Sequence, residues 1–137
     1  MRWIRVVVGV VVAVTATGLA GCGDDQPADG DPVAFCERLD RLTTNDPFLA
    51  FGDVATAADI EAAFSALVAR ADELVEVAPP EPRGAALDFA EAAAALDSLM
   101  AGAAYDSAAL DARAYRDEQL AYAAASDRLL RYFESSC

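Results

Sequence analysis

The residues of this chain that could do chemistry are three cysteines, Cys22, Cys36 and Cys137, and 23 acidic residues. The chain has no histidine, and all ten of its basic residues are arginines. Without histidine or lysine it cannot form a Ser-His or Ser-Lys nucleophile, a Schiff base or a Walker-type phosphate site. The cysteines are too far apart for an ordinary zinc site. The chemistry that remains open is that of a carboxylate pair, as in a glycosidase.

The segments that must position these carboxylates are four amphipathic helices. We expect them at about 32–43, from Thr56 to the prolines at 79–82, at about 83–101 and at about 113–135, with a loop or a turn capped by Ser107 before the last. Asp31-Pro32 provides a helix start, and Thr56 with Asp59 resembles a capping box. The inward stripes consist of Phe35, Cys36, Leu39 and Leu42; Ile60, Phe64, Leu67, Val68, Ala71, Leu74 and Val75; Phe89, Ala93, Leu96 and Met100; and Tyr115, Tyr122, Ala125, Leu129 and Phe133.

These stripes contain almost no acidic residues, so the carboxylates belong to the solvent faces. A catalytic pair usually needs at least one acid in a partly desolvated cleft. We therefore expect no enzyme and no cofactor, and a carboxylate-based hydrolase ranks third among the functions considered. A calcium loop is also disfavoured, because aligning Gly30 with the loop glycine places Pro27 and Cys36 at ligand positions.

The first 21 residues have the layout of a signal peptide. Two arginines precede an apolar run of about 14 residues, which is short for a membrane span of about 20 residues. The run ends in Leu19-Ala20-Gly21-Cys22, which resembles the lipobox of bacterial lipoproteins. The resemblance implies cleavage before Cys22 and lipidation of its thiol, with acyl chains such as palmitate. The alternative is an ordinary secretory signal in which Cys22 is incidental.

The lipobox predicts a signal peptide at 1–21, a flexible acidic tether at 22–30 and a folded domain at 31–137. The protein would then be anchored by lipid at the outer, extracytoplasmic face of the cell membrane. Cleavage would leave eight arginines and 23 acidic residues, a formal charge of −15. This charge argues against nucleic acid and against lying flat on anionic lipid, and it makes a basic partner more favourable than an acidic one. The rest of the chain resembles alanine-rich actinobacterial lipoproteins that end in a cysteine, which implies no activity.

Cys36 and Cys137 are the two cysteines left to pair if Cys22 is acylated in a compartment where disulfides persist. In an up-down bundle, an even number of helices returns the chain to the end where it entered. Four helices therefore bring Cys137 near Cys36, and we predict an all-α, up-down four-helix bundle closed by one disulfide. The alternative, two thiols acting as a redox pair, lacks Cys-x-x-Cys spacing and basic neighbours that lower a thiol pKa.

The end of the bundle opposite the tether carries apolar connector residues. Phe48, Leu49 and Phe51 lie between helices 1 and 2, and Tyr105 follows helix 3. They predict either a partner-binding surface or a lid and helix-end plug over the core. The first function we expect is a helical interaction or accessory module of the cell envelope, in contact with an envelope protein. The second is a carrier of a small apolar ligand in an interhelical cavity.

Overall fold

A computed structural model of the protein describes residues 29–47 and 55–137. Four α-helices follow one another: α1 is Pro32–Thr44, α2 is Ala57–Val77, α3 is Pro80–Gly102 and α4 is Ala112–Ser136, with a 3-10 turn at Ser107–Ala109. Each helix packs against the next, and α1 also packs against α4. Within these ranges the chain forms no strand. The predicted all-α, up-down four-helix bundle is confirmed.

Polar side chains fix where three of the helices begin. Asp31 accepts hydrogen bonds from the amides of Val33 and Ala34, each at 3.0 Å, and so caps α1. Thr56 and Asp59 form the predicted capping box at the start of α2, with Asp59 accepting from the Thr56 amide at 2.8 Å. Asp111 caps α4 in the same way as Asp31 caps α1. These bonds satisfy amides that have no partner inside a helix.

The third helix begins at Pro80, three residues earlier than the sequence predicted. Proline lacks an amide hydrogen, and the first-turn amides have no intrahelical partner, so Pro80 and Pro82 fit this turn. The Arg83 guanidinium donates to the Ala78 carbonyl at 2.8 and 3.1 Å, which satisfies an acceptor just beyond α2. Further along, Asp106 rather than Ser107 caps the 3-10 turn, since its carboxylate accepts from the Ala108 amide.

The core is divided into two clusters along the bundle axis. The larger cluster includes residues of all four helices: Phe35, Leu39, Leu67, Ala71, Leu74, Ala78, Ala86, Phe89, Ala93, Ala125 and Leu129. The smaller contains Phe64, Leu96 and Met100, from α2 and α3. In the described part of the chain, no buried residue is polar or charged. The predicted stripes are therefore the faces that pack.

The larger cluster lies at the end where the described chain begins. The Asp31 amide donates to the Val77 carbonyl at 2.9 Å, which brings the chain entry beside the α2–α3 turn. Cys36 and Cys137 form a disulfide at the same end, with their Cα atoms 5.6 Å apart. The predicted pairing is confirmed, and it follows from the return of α4 to the end where α1 starts.

The first helix is much shorter than its neighbours. Its 13 residues span about 20 Å, whereas the 21 residues of α2 span about 32 Å. Asn45 ends α1. Further along the bundle axis, the described helices are α2, α3 and α4. The side of α2 and α4 that α1 covers in the first half is therefore not covered by α1 in the second.

Candidate functional site

An apolar groove lies between α2 and α4, next to the end of α1. Its volume is about 560 Å³. It is lined, among the described residues, by Asp46, Phe64, Leu67, Leu96, Tyr115, Arg116, Gln119, Leu120, Tyr122 and Ala123. This volume falls within the range of small-molecule sites, and the few polar groups among apolar ones are also typical of such sites.

The geometry of α4 explains why the groove has this lining. Tyr115 and Tyr122 lie on the inward stripe of the helix, while Arg116, Gln119 and Leu120 lie on the flank directed away from α3. The opposite flank packs along α3, and its residues Glu118, Ala121, Ala124 and Arg128 line a separate cleft between the two helices. One flank of α4 is thus available to the groove because α3 occupies the other.

The groove continues into a smaller cleft of about 320 Å³ towards the disulfide end. Asp46, Leu67 and Tyr122 line both spaces, and Leu130 lines the smaller one. Leu120 is 64% exposed and Leu130 is 41% exposed. Two large apolar side chains on the same helix therefore remain partly in contact with water along this depression.

The polar groups of the groove affect one of its tyrosines. Burial, followed by the negative charge of Asp46, raises the pKa of the Tyr122 hydroxyl, and the Ser126 hydroxyl partly opposes this. Tyr122 also packs its ring on Phe89, with the centroids 5.0 Å apart, and is therefore held against the core. A neutral tyrosine, one arginine and one carboxylate next to apolar walls can contact the polar end of a molecule whose body is apolar.

Tyr105, predicted as a partner-binding residue, is half-buried. Its ring lies 6.4 Å from that of Phe64, and its hydroxyl donates to Asp97 at 2.9 Å. This hydrogen bond raises the pKa of the Tyr105 hydroxyl. Tyr105 thus packs against the smaller cluster and does not line the groove. Its role in binding a partner stays a prediction.

The other predicted site residues have different outcomes. Cys22, the predicted lipidation site, lies outside the described residues, as do Phe48, Leu49 and Phe51 of the predicted partner surface. The sequence did not single out Arg116, Gln119 and Leu120, which lie off the inward stripe. The difference in length between the first and second predicted helices was the signal that could have indicated a flank that α1 does not cover.

Three other features bear on the classes of function considered. Within residues 29–47 and 55–137, no group of three or more His, Cys, Asp or Glu residues is arranged to hold a metal ion. Among the described helices, none combines the length and the apolar character needed to cross a bilayer. The carboxylates with a perturbed pKa, Asp59 and Asp111, are helix caps in which hydrogen bonds lower the pKa.

Comparison with known proteins gives no assignment. The chain matches no protein-family model, and no curated protein or solved structure matches it.

Proposed function

We propose that this protein is a lipid-anchored extracytoplasmic module of the cell envelope that binds a partner protein through the groove between α2 and α4. The observation that carries the proposal is the exposure of Leu120, at 64%, beside an apolar groove of about 560 Å³. An apolar side chain exposed singly is common, but one that borders an apolar depression is typical of interaction sites. The lipobox supports the anchor.

The groove also limits what kind of segment could bind there. It runs along a helix and has apolar walls with Asp46, Arg116 and Gln119 among its lining residues. These features suit a partner segment with an apolar stripe, such as an amphipathic helix. The formal charge of the whole chain, −13, makes a basic or neutral segment more favourable than an acidic one.

Cross-linking in the native membrane tests the partner surface. A photoreactive residue is introduced in place of Leu120, and a matched control is introduced in place of Leu87, which is 51% exposed on α3 and does not line the groove. We expect a discrete cross-linked product from position 120 and none from position 87. Equal products from both positions, or none from either, would contradict the proposed surface.

The anchor requires its own test, because it depends on Cys22 rather than on the groove. We expect the Cys22→Ser variant to lose its acyl chains and to move from the membrane fraction to the medium. Mass spectrometry of the N-terminal peptide checks the lipid, and immunoblotting of the fractions checks the location. Retention of the variant in the membrane without acyl chains would contradict lipid anchoring.

A second candidate function, a carrier of a small apolar ligand, is favoured by the volume of the groove. The groove, with a volume of about 560 Å³, can hold a ligand of ordinary small-molecule size. Native mass spectrometry of residues 24–137 tests this function, since a carrier would retain an extra mass that is lost on denaturation. Replacement of Ala123 by Phe in the groove should abolish that extra mass, and a bare wild-type chain would contradict the carrier.

A further inference from the structure

A further pocket lies on the outer side of the α1–α2 pair, and it is rich in arginine. Its volume is about 320 Å³, and it is lined by Arg38, Arg41, Asn45, Arg70 and Glu73. The described residues include eight arginines, of which three meet at this one pocket. In a chain with 23 acidic residues, this concentration of positive charge requires an explanation.

Main-chain carbonyls orient the three guanidinium groups. Arg38 donates to the carbonyl of Glu73, and Arg70 donates to the carbonyl of Asn45 at the end of α1. Arg41 donates from Nε to the carbonyl of Glu37 at 3.3 Å. A guanidinium carries five N–H donors, so each of these groups has further donors beyond the bond that holds it. The pocket is therefore bordered by cations whose positions are fixed before anything binds.

Carboxylates of the chain balance this charge incompletely. Arg38 forms an ion pair with Glu76, with Nη1 and Oε2 3.5 Å apart. In the described part of the chain, Arg41 and Arg70 form no such pair. Beyond a distance of about 8–10 Å the net negative charge of the protein is largely screened at physiological salt. The nearest groups, which are the three arginines together with Glu73 and Glu76, therefore decide what the pocket binds.

We propose that this pocket binds a phosphate group. Guanidinium groups form paired, charge-assisted hydrogen bonds with phosphate, and three of them from two helices can approach a tetrahedral oxyanion from different sides. A planar carboxylate presents its acceptors in one plane and fits three such donors less well. The phosphate could belong to a lipid headgroup or to a soluble molecule, because both present the same oxygens.

The competing explanation is that the arginines only hold α1 against α2. Arg38 and Arg70 do connect the two helices through their bonds to Glu73 and Asn45. Replacing either of them would change the stability of the fold as well as the affinity for phosphate, so a loss of binding would not separate the two explanations. Arg41 is different, because it is exposed and its bond to Glu37 lies within its own helix. The Arg41→Gln variant therefore separates the two explanations.

The test uses the full chain in a zwitterionic detergent at constant ionic strength, titrated with inorganic phosphate. The arginine Nε–Hε signals are followed by ¹⁵N NMR. We expect a saturable shift of the Arg41 and Arg70 signals, and an affinity at least tenfold weaker in Arg41→Gln at an unchanged thermal unfolding midpoint. The control is Arg113→Gln, which alters an exposed arginine outside the pocket and should leave the affinity unchanged.

A second titration identifies the source of the phosphate. Mixed micelles with phosphatidylglycerol are compared with mixed micelles that contain phosphatidylcholine instead. Tighter binding of phosphatidylglycerol than of inorganic phosphate identifies a lipid headgroup, and equal or weaker binding identifies a soluble ligand. The absence of a saturable shift with either probe, or equal affinities in Arg41→Gln and Arg113→Gln, would overturn the proposal.

Discussion

Removal of the Cys36–Cys137 disulfide should destabilise the domain strongly without changing its folded structure. The bridge joins residues 101 positions apart and so closes a loop that includes nearly the whole domain. Its main effect is on the unfolded chain, whose freedom it restricts. In the folded state α1 would still be held by the buried side chains of Phe35 and Leu39 and by the edge-on contact of Phe35 with Tyr132.

The expected magnitude follows from the length of the loop. For a loop of about 100 residues, the chain-entropy model gives about 4.7 kcal/mol at 25 °C, and measured values are often smaller. We therefore expect the Cys36→Ser/Cys137→Ser double variant to lose about 3 to 5 kcal/mol of unfolding free energy. For a domain of about 100 residues, this loss corresponds to a decrease in Tm on the order of 15–25 °C.

The assay is urea unfolding of residues 24–137, monitored by far-UV circular dichroism. Replacement of both cysteines avoids leaving one unpaired thiol, and the wild-type domain with its disulfide reduced serves as an independent control. The spectrum before unfolding should be unchanged. The dependence of the unfolding free energy on urea should become steeper, because an unfolded chain without the bridge exposes more surface. A loss of less than about 1 kcal/mol would refute the loop-closure reasoning.

Three further predictions concern the core, the chain entry and the caps. Phe89→Ala should cost about 3 to 5 kcal/mol in urea unfolding, because the side chain is buried between α3 and α4. Gly30→Ala should lower the Tm, because φ of Gly30 is +68° and the new Cβ would lie 2.5 Å from the Ala78 carbonyl oxygen. The control is Gly84→Ala, which has open space around it and should leave the Tm unchanged or raise it. Hydrogen bonds lower the pKa of Asp59 and Asp111 in the folded protein. The stability that these bonds contribute is therefore present above the unfolded-state pKa near 3.8, and it is lost as the pH falls below that value. The Asp59→Asn/Asp111→Asn variant should therefore show a smaller decrease in Tm between pH 6 and pH 2.5 than the wild type, and an equal decrease would contradict this origin.

Several parts of the fold could be predicted from sequence because they depend on interactions within a few residues. The caps at Asp31 and Thr56 are formed by side chains that reach amides two or three positions away. The inward stripes follow from the helical period, and the large buried side chains of α2 and α3 fall on them. The stripes did not include Ala63, Pro82, Ala86 and Ala92, which are also buried. The cysteine pairing followed from the even number of helices. The start of α3 was predicted wrongly, because prolines that end one helix can also form the first turn of the next.

The groove and the arginine pocket could not be predicted in this way, because they depend on which helix faces meet and how far each helix extends. Sequence alone determined a four-helix domain closed by the Cys36–Cys137 pair, since local hydrogen bonding and apolar periodicity depend on residues close together in the chain. The signal peptide and its lipobox stay a prediction. Tertiary structure decided that Tyr105 packs behind Phe64, that α1 ends before the flank of α4 that carries Leu120, and that Arg70 meets Arg38 and Arg41. These juxtapositions arise from helix lengths and packing directions, so residues distant in sequence share a surface that no local pattern specifies.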